Sequence, residues 1–211
     1  MDRLRAKYNS MSVETKAALW FAMCNFINKG IAMIVVPLYT RMLTTEEYGM
    51  YTVFQSWLNI FIIIATLEIS RGHYKVGITK YDEDVDNYTI SVLGLSNIVT
   101  ILFIVIYLCA IPVFNNLLEM PTYLVLSMFG YLLVYPAWEF WTIQQRFAYK
   151  YKTMVAATLA VAILSPVIGV AGIYLLNMQS DAAIFSKLLI QGRVCTVHLC
   201  CILQEKPYAI Q

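Results

Sequence analysis

The sequence predicts an all-α membrane protein, a multi-pass transmembrane bundle of about six helices. Three observations carry that expectation. Of its 211 residues, 60% are hydrophobic and 13% charged, whereas soluble domains carry about 25% charged and about 45–50% apolar residues. The apolar residues gather into segments of about 20, the length that crosses a bilayer as a helix. The basic residues fall in alternate connections, as they do when they are retained on one side of a membrane. Helices follow from the solvent itself, because lipid offers no partner to an unpaired backbone N–H or C=O.

Residues 1–16, MDRLRAKYNSMSVETK, form a basic polar tail. The apolar run behind it is too long for a signal-peptide core, and no small-residue cleavage site follows it. It reads as a retained first helix, residues 17–38. A second span is expected over 50–70, a long third over 88–114, a fourth over 122–142 and a fifth over 153–176. The sixth, 182–203, is the weakest, because Lys187, Arg193 and His198 interrupt it.

The connections fix an orientation. The tail carries Arg3, Arg5, Lys7 and Lys16; the second connection carries Arg71, Lys75 and Lys80; the fourth carries Arg146, Lys150 and Lys152. The first has only Arg41, against Glu46 and Glu47, and the third and fifth (NNLLEMP and NMQSD) have no basic residue. The expected topology therefore has the N-terminus in the cytoplasm. The outer loops are too short to hold a domain. DEDVD, in the second connection, lacks the glycine turn and distal Glu of a Ca²⁺ loop and reads as a solvated turn.

Polar residues inside the spans are the informative ones. Asn25, Asn28 and Lys29 sit at i, i+3 and i+4 and share a helix face. A charge at mid-bilayer costs about 2.5–3.5 kcal/mol, so Lys29 is expected to face a bundle interior or a wet cavity. Two readings stay open, a substrate-facing cation or an ion pair with Glu68 or Glu139. Pro37, near the outer end of the same helix, fits a bending helix or a static terminus. The fourth span ends in YPAWEFWTIQQRFAYKYK. There Trp138 and Trp141 flank Glu139, which reads as an interfacial aromatic belt or as a mouth for sugar and phosphate.

Other classes find less support. The net charge of +2 suggests no nucleic-acid partner. Cys24, Cys109, Cys195, Cys200 and Cys201 show neither a CxxC nor a disulfide framework. There is no HExxH, no phosphate-binding glycine loop, and no nucleophile–base arrangement. Neither catalysis nor a cofactor is expected.

The stretch NFINKGIAMIVVPLYTRMLTTEEYGMYTVFQSW, residues 25–57, resembles the N-terminus of the polysaccharide and O-antigen flippases of the multidrug/oligosaccharidyl-lipid/polysaccharide exporter superfamily. Pro37, Tyr39, Thr40, Arg41, Leu43, Thr44, Glu47, Tyr48 and Gly49 carry the likeness, with QQRFAYKYK at the end of the fourth span. It extends over about residues 10–190. The resemblance implies a transporter that moves an undecaprenyl-pyrophosphate-linked oligosaccharide between leaflets of the plasma membrane, the inner membrane in a Gram-negative cell. It also implies a cationic cavity between two helical bundles. Lys29, with Asn25, Asn28, Arg41 and Arg71, would then bind substrate, and Glu68 and Glu139 would pair or couple ions.

The chain supplies one such bundle, residues 17–190. Residues 191–211, QGRVCTVHLCCILQEKPYAIQ, are atypical of a sixth helix. Two expectations follow: an interrupted product, or a half transporter that pairs with itself or a second half. The alternatives of other kinds are a drug or cation exporter, which would rely on buried carboxylates, and a non-transporting membrane subunit or pathway enzyme.

Overall fold

The structure, a computed structural model, describes residues 10–81, 84–176 and 179–204; side chains are described for all of these except 71, 176, 179 and 195–204. The described residues are helical throughout, apart from short links. In chain order the helices are α1 (Val13–Met42), α2 (Thr45–Thr66), α3 (His73–Lys80), α4 (Val85–Cys109), α5 (Ile111–Leu118), α6 (Thr122–Phe147), α7 (Tyr151–Leu176) and α8 (Gln179–Gln204). Helices α1, α2, α4, α6 and α7 are long and apolar enough to cross a membrane. The chain is a multi-pass helical bundle.

Local chemistry sets the ends. Ser12 caps α1 by accepting from the Thr15 N–H. Only Leu43 and Thr44 separate α1 from α2, and the turn closes with a capping box. The Glu47 N–H donates to Thr44 Oγ1 at 3.3 Å, and the Thr44 N–H donates to Glu47 Oε2 at 2.7 Å. Two donors that a helix start leaves unpaired are thereby satisfied. Much of the LTTEE signature is thus turn chemistry.

Three expected elements differ. The second span does not run to residue 70. It ends at Thr66, and Leu67 and Glu68 both take left-handed backbone conformations, φ 50° and 52°. Glu68 therefore lies beyond the span rather than a turn inside it. The connection that follows contains α3, whose Tyr74 and Ile78 are buried. The third span breaks at Ala110, φ −142°, before the short α5. Pro112 sits in the first turn of α5, where its missing N–H costs nothing; farther inside a continuous helix it would clash with the preceding turn.

Successive long helices run antiparallel. At one end Trp20 stacks on Tyr151, and Tyr74, Thr89 and Gln144 meet. At the other the Tyr123 hydroxyl donates to Asp181. Helix α6 is the most enclosed span. Phe54, Leu58, Tyr107, Leu124, Met128, Leu132 and Ile184 join α2, α4, α6 and α8 in one core. Helix α8, the weakest span by hydropathy, packs against α2, α6 and α7. It continues as helix through residues 191–204; residues 205–211 of the atypical tail lie outside the described residues.

In lipid, association relies on close packing and small residues rather than on hydrophobic burial. Between α7 and α8 these are Gly169 and Gly172, which lie against Ser186 and Ala182. Helix α1 is the outlier, packing mainly on α7. Its Phe26 and Met33 are 79% and 77% exposed.

Candidate functional site

Two cavities lie along the bundle, and Trp138 lines both. The first, about 510 Å³, opens at the end where α6 meets α7. Its polar wall comprises Ser70, Lys75, Glu139, Thr142, Arg146 and Tyr149. The Ser70 hydroxyl donates to Glu139 Oε1 at 2.8 Å. The Arg146 guanidinium lies 5.6 Å from the centre of the Phe21 ring, a cation–π contact that holds it at the α1 side.

A polar triad, two of its members fully buried, fixes α3 beside this mouth. Tyr74 Oη lies 2.7 Å from Thr89 Oγ1, and Gln144 Nε2 donates to both, at 3.1 and 3.0 Å. Burial pushes the Tyr74 phenol up to about 12, despite the opposing bonds from Thr89 and Gln144. Tyr74 is therefore a neutral partner at any physiological pH. Gly77 belongs to the same contact, because a Cβ there would overlap the Tyr88 ring.

The second cavity, about 440 Å³, lies at mid-depth among α1, α6, α7 and α8. Lys187, Asn28, Ser165, Ser186 and Gln191 supply its polar wall, with Tyr39 and Tyr51 toward the α1–α2 turn. Lys187 Nζ donates to Gln55 Oε1 of α2. Asn28 Nδ2 donates to Cys24 Sγ, while Asn28 Oδ1 and Ser165 Oγ are buried without a hydrogen-bond partner among the described residues. Pro166, in the same wall, has no N–H to offer the carbonyl of Ala162, another wall residue.

The structure separates the expected site residues. Of the face containing Asn25, Asn28 and Lys29, only Asn28 turns into a cavity; Asn25 and Lys29 are exposed. Lys29 thus does not face the interior of this bundle, and it makes no ion pair with Glu68 or Glu139 among the described residues. The reason is the packing of α1, which contacts little but α7 and leaves most of its circumference open. Arg41 is exposed at the far end of α1. The Arg71 side chain lies outside the described residues. Glu139 is half-buried in the first cavity. Trp138 and Trp141 form no lipid-facing belt. Both are buried, 5.2 Å apart, against Met154.

Lys187 and its partner Gln55 are additions that the sequence reading missed as site residues. The signal was present. Ala183, Lys187 and Gln191 recur at i, i+4 and i+8, a small-polar stripe on one helix face. The rule applied to Lys29 holds for Lys187 as well.

No curated protein and no solved structure matches the chain. Residues 15–193 match the profile of the family described as polysaccharide biosynthesis protein. That span runs from the first turn of α1 well into α8 and takes in both cavities. With most of its length matched, this multi-pass helical bundle belongs to the polysaccharide biosynthesis protein family.

Proposed function

We propose that the chain is a transporter bundle that carries a lipid-linked oligosaccharide, of the undecaprenyl-pyrophosphate type, across the plasma membrane for O-antigen or capsule export. The observation that carries this reading is the open face of α1. Lys29 and Asn25 stand there at mid-helix among exposed apolar side chains such as Phe26 and Met33. An ammonium facing lipid at that depth costs about 2.5–3.5 kcal/mol. A cavity wall shared with a second bundle, or a second copy of this chain, would remove that cost and give an anionic head group a counter-charge.

On this reading the N-terminus and the mouth lined by Lys75, Glu139 and Arg146 are cytoplasmic, in keeping with the basic connections around them. The chain acts as a carrier rather than an enzyme. An exporter of drugs or cations would make Glu139 the working residue, and Lys75 and Arg146 in the same wall argue against a cation there.

The test is complementation of a flippase-deficient strain by this chain, alone and together with a second bundle. Restored surface polysaccharide, reduced at least tenfold by Lys29→Ala at equal membrane abundance, is the expected result. Rescue indifferent to Lys29→Ala removes the open face from the mechanism. Absence of rescue in every combination, with the protein in the membrane, overturns the transporter reading in favour of a non-transporting subunit.

A further inference from the structure

The mid-depth cavity has a charge imbalance. Lys187 contributes an ammonium, and among the described residues no Asp or Glu lines the wall. Among the described residues its hydrogen bond is to Gln55, a neutral amide. An ammonium among Ile31, Val35, Val161 and Ala162 stands in a setting that strongly favours an added anion. The imbalance is matched by unmet hydrogen bonding. Asn28 Oδ1 is an acceptor without a donor, and Ser165 Oγ has no partner. A fully ionised, hydroxyl-free anion would satisfy Lys187 and leave Asn28 unanswered. A neutral sugar would do the reverse.

We infer that this cavity binds a small polyhydroxylated carboxylate, an acidic sugar unit of the uronic-acid kind, with its carboxylate on Lys187 and a hydroxyl donating to Asn28. A volume of about 440 Å³ falls within the ~300–1,000 Å³ typical of small-molecule sites. Trp138 and the phenols of Tyr39 and Tyr51 in the wall offer amphipathic ring surface to a pyranose. The inference rests on the reading that the chain handles saccharides. It concerns a site within the bundle, apart from the open face that carries Lys29.

The experiment is equilibrium binding of radiolabelled glucuronate to the full-length protein in nanodiscs, with glucose and inorganic phosphate as competitors. Saturable binding is expected. It should weaken at least tenfold in Lys187→Gln and severalfold in Asn28→Leu, and persist in Lys187→Arg. Tenfold excesses of glucose or phosphate should displace little of the label. No saturable binding, or binding undiminished in Lys187→Gln, overturns the inference. So does displacement by phosphate as effective as by unlabelled glucuronate, which marks a plain anion site. If Lys187→Gln fails to fold, by size-exclusion profile, Asn28→Leu carries the decision: unchanged affinity there overturns the assignment. Lys29→Ala complementation reports on the transport reading alone, so either can fail without the other.

Discussion

Replacing Lys187 and Gln55 together should stabilise the bundle, whereas replacing either alone should not. The expectation follows from the position of the pair between α8 and α2, with no carboxylate among the described residues of the cavity wall. A lysine at mid-bilayer costs about 2.5–3.5 kcal/mol. A hydrogen bond to a charged group contributes about 1.5–3 kcal/mol, so the bond to Gln55 offsets much but not all of this. Lys187→Met removes the ammonium but orphans the Gln55 carbonyl oxygen, whose amide nitrogen is already buried without a partner. An orphaned buried group costs about 1–3 kcal/mol, so the single substitution should come out near neutral. Gln55→Leu leaves the ammonium alone and should destabilise by about 2–3 kcal/mol. The pair Lys187→Met with Gln55→Leu removes both polar groups. Apolar replacement of a buried ion pair ranges from neutral to a gain of about 1–4 kcal/mol, and for this ammonium–amide pair, which has no opposite charge to lose, a gain of about 1–3 kcal/mol is expected. The assay is reversible unfolding in mixed micelles, followed by helical circular dichroism, with all four members of the cycle. A double variant less stable than wild type, or single effects that simply add, would refute the reasoning by showing that Lys187 is compensated elsewhere.

Further outcomes follow from the same contacts. Thr44→Ala removes half of the capping box at the α1–α2 turn and should cost about 0.5–2 kcal/mol, read as a lower midpoint in the same unfolding assay. Gly169→Ala puts a Cβ into the Tyr39 hydroxyl and 2.9 Å from Ser186 Oγ. Overpacking of this kind costs about 1–3 kcal/mol, and combining it with Tyr39→Phe should recover part of the loss. Tyr74→Phe breaks the triad with Thr89 and Gln144 and should cost about 1 kcal/mol. The folded Tyr74 phenol is raised from the ordinary 10 to about 12. Its contribution should therefore be fully present below pH 10 and lost as pH rises from 10 through 12, a loss absent from Tyr74→Phe in an alkaline titration of stability.

Hydropathy made the long helices legible because a bilayer imposes one requirement on every span. The turn after α1 was legible only through the resemblance, although Thr44 followed three residues later by Glu47 states its own hydrogen bonds. What hydropathy does not register is a break inside an apolar run. Nothing in the composition of residues 61–70 marks Leu67 and Glu68 as left-handed, and no glycine stands at either position to signal it. Two consecutive non-glycine residues of this kind cost about 1–3 kcal/mol each, a cost that tertiary contacts must support. The triad that anchors α3 to α4 and α6 is such a contact, and its members Tyr74, Thr89 and Gln144 lie 15 and 55 residues apart in the chain.

The two intramembrane lysines show where sequence reasoning stops. Asn25, Asn28 and Lys29 form a polar face by spacing alone, and the rule against lipid-facing charge is the same for Lys29 and Lys187. Which lysine turns inward depends on which helix the bundle surrounds. Helix α8 is packed by α2, α6 and α7, so its Lys187 stripe lies within the bundle; α1 is packed mainly by α7, so Lys29 lies outside it. Hydropathy ranks the two helices the other way, since α1 is the more apolar and therefore looks the more buried. In a soluble protein that ranking is sound. In a membrane it inverts, because lipid surrounds apolar helices at no cost, whereas a helix with polar residues needs protein around it. The helix that reads as the poorest span is for that reason packed by α2, α6 and α7 rather than left to lipid. Its lysine then meets a wall without a carboxylate among the described residues, while the lysine on the more apolar helix is left for whatever covers the open face.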